Sequence, residues 1–161
     1  MDGNHTSAIS RRSRITVIVA ENYSLARAAL AGLLNYDGYR ALQADCLESA
    51  LSHINYAYGP VVLLVDVDMP GWETIVRQAI KRADAFVIAM VGNHHPLSKI
   101  HEVKGRGIQI CLLKPILYHD VRTAIIENLE MPEPMPSASN PNLSLVDDLI
   151  SRERSSDRSF E

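Results

Sequence analysis

Cysteine is scarce: Cys46 and Cys111 are the chain's two, too few for a disulfide framework, which excludes the small cross-linked scaffolds of secreted chains. Both lie in apolar or amphipathic surroundings and read as reduced packing residues. Long apolar runs are absent as well. No stretch approaches bilayer-spanning length. The polar start, with Arg11, Arg12 and Arg14, is not followed by an apolar core of signal-peptide length. The expectation is a cytoplasmic chain with no membrane partner. An excess of one charge is missing too: 16 Lys and Arg against 19 Asp and Glu leave −3, so no broad positive field awaits nucleic acid. The sequence after Glu130 is too short and proline-rich for a helix-turn-helix, and direct DNA binding is not expected. The three arginines read as solvated, Arg11 and Arg12 within a flexible arm over residues 1–13 and Arg14 at its junction with the domain.

What is present is ordinary globular usage, 47% hydrophobic and 22% charged over 161 residues, which suits one domain with a tail. Ile15 to Ala20, ITVIVA, is short and β-branched, the pattern of a strand buried on both faces. A helix follows, with Asn22 or Ser24 as its cap, Leu25, Ala28, Ala29, Leu33 and Leu34 at helical spacing, and a stop at Asp37-Gly38. Tyr39 to Ala44 reads as a second strand and Cys46 to Tyr56 as a second helix. Val61 to Val67, VVLLVDV, is the most apolar stretch and reads as a central parallel strand. After the Met69-Pro70-Gly71 turn come a helix (Glu73 to Arg82), a strand (Phe86 to Val91), a short helix (Leu97 to Val103), a strand (Ile108 to Leu113) and a last helix (Tyr118 to Leu129). Such alternation predicts an α/β fold: a doubly wound, five-stranded parallel sheet with right-handed crossovers. The ordered domain is expected over residues 14–130. Residues 131–161, opening with the four prolines of MPEPMPSASNPN, read as a linker and disordered tail, within which Leu143 to Ile150 have the pattern of a short amphipathic turn or docking helix.

In a doubly wound sheet, ligands bind beyond the carboxyl ends of the strands. Those ends carry Glu21 and Asn22, then Asp66 and Asp68, then Val91 and Gly92, then Lys114 and Pro115. Oxygen donors from Glu21, Asp66 and the segment at Asp68 suit Mg²⁺. An Asp carboxylate is a competent nucleophile toward phosphorus. The Lys114 ammonium supplies a compact positive charge for a phosphoryl oxygen.

Three segments carry a family resemblance. VIVAENYSLARAALAGLL resembles the opening of response-regulator receiver domains, VVLLVDVDMPG their phosphoacceptor segment, and ICLLKP their fifth-strand Lys-Pro. The resemblance spans about residues 14–130. It implies the (βα)5 flavodoxin-like receiver fold, with Asp66 as phosphoacceptor, Lys114 as the lysine that engages the phosphoryl group, Glu21 as a Mg²⁺ ligand, and a cis peptide bond before Pro115. It also implies a phosphoprotein of two-component signalling that is not an enzyme beyond self-catalysed transfer. Its donor would be a histidine kinase or histidine phosphotransfer protein. Output would pass to a downstream protein or a second copy of the chain, with no effector domain attached.

Three positions depart from the family pattern. Asn22 stands where a second metal-binding acid is usual; it is expected to offer Mg²⁺ a carbonyl oxygen in place of a charge, with Asp68 available to compensate in part. Val91 stands where the fourth strand carries a hydroxyl, and Cys111 where the fifth carries an aromatic. These support a rival reading: a pseudo-receiver that docks a partner or dimerises without phosphorylation. A metal-dependent phosphatase on a related fold is disfavoured, because no cap domain or extra catalytic acid is present. His94, His95 and His101 match no strong zinc spacing and read as a solvated loop. Trp72 is expected to cover the rim or the third helix, and Tyr118 to face a partner.

Overall fold

The structure, a computed structural model, describes residues 11–130. The linker and tail expected over 131–161, and residues 1–10 of the arm, lie outside the described residues. Strand β3 (Val61–Asp66) occupies the centre of the sheet because all six of its residues are buried and it offers no polar face to water. It pairs in parallel with β1 (Thr16–Ala20) and β4 (Ala85–Val91), which are almost as fully buried. The partly exposed β2 (Arg40–Ala44) and β5 (Ile110–Leu113) form the edges. The order β2-β1-β3-β4-β5 reverses direction between β1 and β3, which places the expected ligand crevice there.

Four α-helices connect the strands, α1 (Ser24–Tyr36), α2 (Leu47–Tyr56), α3 (Trp72–Ile80) and α4 (Leu97–Lys104), and α5 (Tyr118–Ile125) follows β5. Among the described residues no helix is long and apolar enough to cross a membrane. Glycine acts at two turns. Gly38, at φ 96°, lets the chain leave α1 for β2, and Gly71, at φ 82°, turns Met69-Pro70 into α3.

Several details differ from the sequence expectation. Tyr23, not Asn22 or Ser24, sits at the cap of α1, and no side chain of the cap residue bonds the helix. Glu21 Oε1 takes the Tyr23 N–H instead, at 2.9 Å. The buried stripe of α1 is Leu30, Ala31 and Leu34, whereas Leu25 and Leu33 are exposed. Cys46 is not a packing residue: it is exposed and caps α2 through a reciprocal pairing with Ser49. α-Helical bonding of the last helix stops at Ile125, where the compact sheet-bearing unit ends. Ile126–Glu130 form a π-helical turn. Arg12 does not behave as a solvated arm: its guanidinium lies 5.5 Å from the Tyr39 ring centroid and donates to the Asp37 carbonyl at 3.3 Å.

Arg82 ties the lower rim together. It donates to the carbonyls of Ile54 at 2.8 Å, Ala57 at 3.0 Å and Gly59 at 3.1 Å, and forks onto Asp84 at 2.9 and 3.0 Å. The fork caps the end of α2 and fixes the entry to β3. Lysine cannot reproduce that planar geometry. Arg82→Ala is expected to cost about 2 kcal/mol, with Arg82→Lys recovering less than half of it, as read from urea unfolding midpoints.

Candidate functional site

Backbone ladders carry three polar residues to the crevice. Glu21 is the first residue beyond β1, and its N–H still bonds the Ala44 carbonyl of β2 at 3.3 Å. Asp66 ends β3 opposite Met90, and the next N–H, from Val67, bonds the Met90 carbonyl at 3.1 Å. Lys114 follows β5, with its N–H on the Val91 carbonyl at 2.8 Å. Their positions are therefore set by the sheet, which is the most rigid way to place a site.

The side chains converge. Lys114 Nζ lies 3.0 Å from Glu21 Oε2 and 3.1 Å from Asp66 Oδ2. The remaining oxygens are held by backbone: Glu21 Oε1 by Tyr23 N–H and Asp66 Oδ1 by Asp68 N–H, each at 2.9 Å. Both acids are almost fully buried, at 2% and 3% exposure, while the Lys114 side chain keeps 30%. Arg27, unanticipated from sequence, steadies the turn by donating to the Glu21 carbonyl at 2.8 Å.

Two buried carboxylates share one ammonium, so one negative charge stays uncompensated. Burial raises the Asp66 carboxyl above its ordinary range, and the facing Glu21 charge adds to the rise against the pull of Asp68 N–H and Lys114. Burial also pushes Glu21 upward, but the Tyr23 N–H and Lys114 together hold it below the usual range. Lys114 loses some basicity to burial and regains more from the two acids, so it stays an ammonium. Of the two acids, Asp66 is therefore the one whose ionised form the pocket favours less. An oxygen-only donor set facing an uncompensated carboxylate fits a hard divalent cation such as Mg²⁺.

Known structures share this architecture. A response regulator receiver domain from Clostridium thermocellum superposes with a TM-score of 0.61 at 24% identity, over 70% of this chain and 92% of that one. A response regulator from Thermotoga maritima gives 0.61 at 17% identity, over 72% and 98%. A response regulator receiver protein from Pseudomonas putida gives 0.59 at 20%, over 70% and 95%. The chain has the receiver fold. No family model matches the sequence, and no curated protein does.

Around the receiver rim, the remaining expected residues separate into those near the cluster and those elsewhere. Asn22 is exposed and lines a different groove, with Asp45, Cys46, Leu47, Glu48, Met69, Pro70 and Gly71. Asp68 is adjacent in sequence, but its carboxylate engages His95 Nε2 at 2.6 Å and His94 Nε2 at 3.5 Å. Sequence spacing gave no hint of that contact, because the partners lie 27 residues apart for His95. Val91 is buried in β4 at 1% exposure. Cys111 pairs with Ala89, packs on the core, and has its thiol pKa raised by burial. The Lys114–Pro115 bond is cis. Tyr118 does not offer its hydroxyl to a partner: it donates to Asp37 Oδ2 at 2.7 Å and to the Leu33 carbonyl at 3.2 Å. Trp72 opens α3 beneath α4, with Lys99 Nζ at 5.3 Å and the Arg106 guanidinium at 5.4 Å from its ring centroid.

Linkage gives the two acids opposite signs. A depressed folded-state pKa, as at Glu21, contributes stability that is present above the unfolded value and lost as pH falls through the folded one. A raised one, as at Asp66, opposes folding wherever the group is ionised. In metal-free buffer at pH 7, Asp66→Asn is expected to raise the melting temperature by roughly 3 °C, an advantage that shrinks as pH falls through the raised Asp66 pKa. Glu21→Gln is expected to lower it under the same conditions. Calorimetry across pH 4 to 8, an interval chosen about the ordinary carboxylate pKa, tests both signs.

Proposed function

We propose that the protein is a phosphoacceptor signalling module rather than an enzyme with a separate substrate. Asp66 is its nucleophile and Lys114 its phosphoryl-binding cation. The supporting observation is the Lys114 ammonium bridging Glu21 and Asp66 at 3.0 and 3.1 Å, with both acids buried. An Asp66 carboxylate oxygen attacks the phosphorus of a phosphohistidine donor. The P–O bond forms, the P–N bond breaks, and its electron pair leaves with the imidazole nitrogen. Bound through Glu21, Asp66 and the segment at Asp68, Mg²⁺ would supply the positive charge that offsets the crowded phosphoryl oxygens. Lys114 then holds one of those oxygens with the ammonium that first neutralised the acids.

A groove of about 450 Å³ opens beside Glu21 and Lys114, walled by Tyr23, Leu30, Leu33, Pro115, Leu117 and Tyr118. Its mostly apolar wall, adjoining Glu21 and Lys114, suits it to receive a histidine kinase or phosphotransfer domain. Output passes to a downstream protein or a second copy by surface contact.

The second reading, a pseudo-receiver that docks partners without phosphorylation, draws on Val91 and Cys111. Neither carries the hydroxyl or aromatic ring through which receivers link the phosphoryl group to the distal face. A ligand shifts an equilibrium only through differential contacts.

Intact mass after acetyl phosphate and Mg²⁺ separates the two readings. One added phosphoryl group, lost in Asp66→Asn and sharply reduced in Lys114→Ala, is the expected result; an unmodified mass at millimolar Mg²⁺ leaves the pseudo-receiver reading. Leu33→Asp in the groove is expected to slow transfer from a phosphohistidine protein at least tenfold while leaving acetyl phosphate labelling unchanged. Trp72 fluorescence recorded alongside reports whether the modification reaches α4.

A further inference from the structure

Of Asp68 only the backbone segment enters the chemistry above; its carboxylate forms a compact donor set with His94 and His95. One ligand atom from each lies within 4.8 Å of the others. His95 Nε2 is 2.6 Å from Asp68 Oδ1, His94 Nε2 is 3.5 Å from Asp68 Oδ2, and the two rings stack at 4.1 Å between centroids. Gly92 is an independent sign that the backbone accommodates this arrangement. Its φ is not in the positive range that calls for glycine. A Cβ there would instead collide with the His94 ring and reach 3.4 Å from Asp68 Oδ2. At Gly92 the missing side chain makes room for the imidazole.

We propose that Asp68, His94 and His95 form a binding site for a borderline divalent transition metal, of the Zn²⁺, Co²⁺ or Ni²⁺ class. Two imidazoles and one carboxylate favour such ions over Mg²⁺, whose preference is for oxygen alone. The exposure of Asp68 and His94 leaves the remaining positions to water. Binding would replace the His95–Asp68 hydrogen bond with two metal–ligand bonds, the neutral imidazole then carrying its proton on Nδ1. The metal would join the turn between β3 and α3, which carries Asp68, to the loop between β4 and α4, which carries the histidines. Those segments flank Asp66, to which Asp68 also donates its N–H at 2.9 Å. This second cation position differs from the Glu21–Asp66 pair in ligand chemistry, and it stands whether or not Asp66 is phosphorylated.

The test titrates the full, metal-free chain with Co²⁺, following its visible d–d absorption, and then displaces the Co²⁺ with Zn²⁺. One equivalent bound with micromolar affinity is expected. His95→Ala and His94→Ala should each weaken it by roughly tenfold or more, in line with the loss of a metal contact. Gly92→Ala, which keeps every ligand but displaces the His94 ring, should weaken it too. Asp66→Asn should leave it unchanged. The proposal is overturned if Co²⁺ binding survives the His94→Ala/His95→Ala double variant, if it is lost in Asp66→Asn, or if none is detected at millimolar Co²⁺.

Discussion

Lys114 stands between two buried carboxylates, and the sheet has to be built to tolerate that grouping. Removing Glu21 and Asp66 from water carries a desolvation cost that one ammonium offsets only in part. Backbone N–H groups from Tyr23 and Asp68 supply the rest of the solvation. Every donor comes from a residue tied to a strand end or to the first turn beyond it. The reversal of strand order between β1 and β3 sets Glu21 beside Asp66, and β5 delivers Lys114 through the hydrogen bond to Val91. The core thus holds two carboxylates against one ammonium, with Asp66 the acid whose ionised form it favours less.

Contacts between the rim and the distal face run through neither a hydroxyl at position 91 nor an aromatic ring at position 111. Trp72 directly follows the Met69-Pro70-Gly71 turn after Asp66 and carries two cations on its ring, Lys99 from α4 and Arg106 just after it. Arg106 also pairs with Glu73 at 3.1 Å and Glu102 at 3.3 Å. The Met69-Pro70-Gly71 turn is thus tied to α4 through packed and charged contacts, none of which needs the side chains at 91 and 111. Two discrete arrangements of α4 would be required for these contacts to act as a switch.

Much of this was legible beforehand. VVLLVD reads as a central strand because a parallel strand covered on both faces has no need of polar alternation. Asp66 and Lys114 could be placed at the rim because strand ends in a doubly wound sheet share one edge. Helix details were less legible. Leu25 and Leu33 satisfy helical spacing but stay exposed, since α1 buries only the narrow stripe of Leu30, Ala31 and Leu34. Cys46 looked like a small hydrophobe and proved to be an exposed cap. Arg12 looked like tail and found an aromatic face.

The sequence by itself determined the strand order of chemistry: which apolar runs become strands, and which polar residues end them, because periodicity and turn residues are local properties of the chain. Only the tertiary structure decided how those residues divide their charges. It gave Lys114 to Glu21 and Asp66 together, left Asn22 facing another groove, and brought His94 and His95 onto Asp68. Such contacts join residues dozens of positions apart, and no local pattern encodes a distance of that kind.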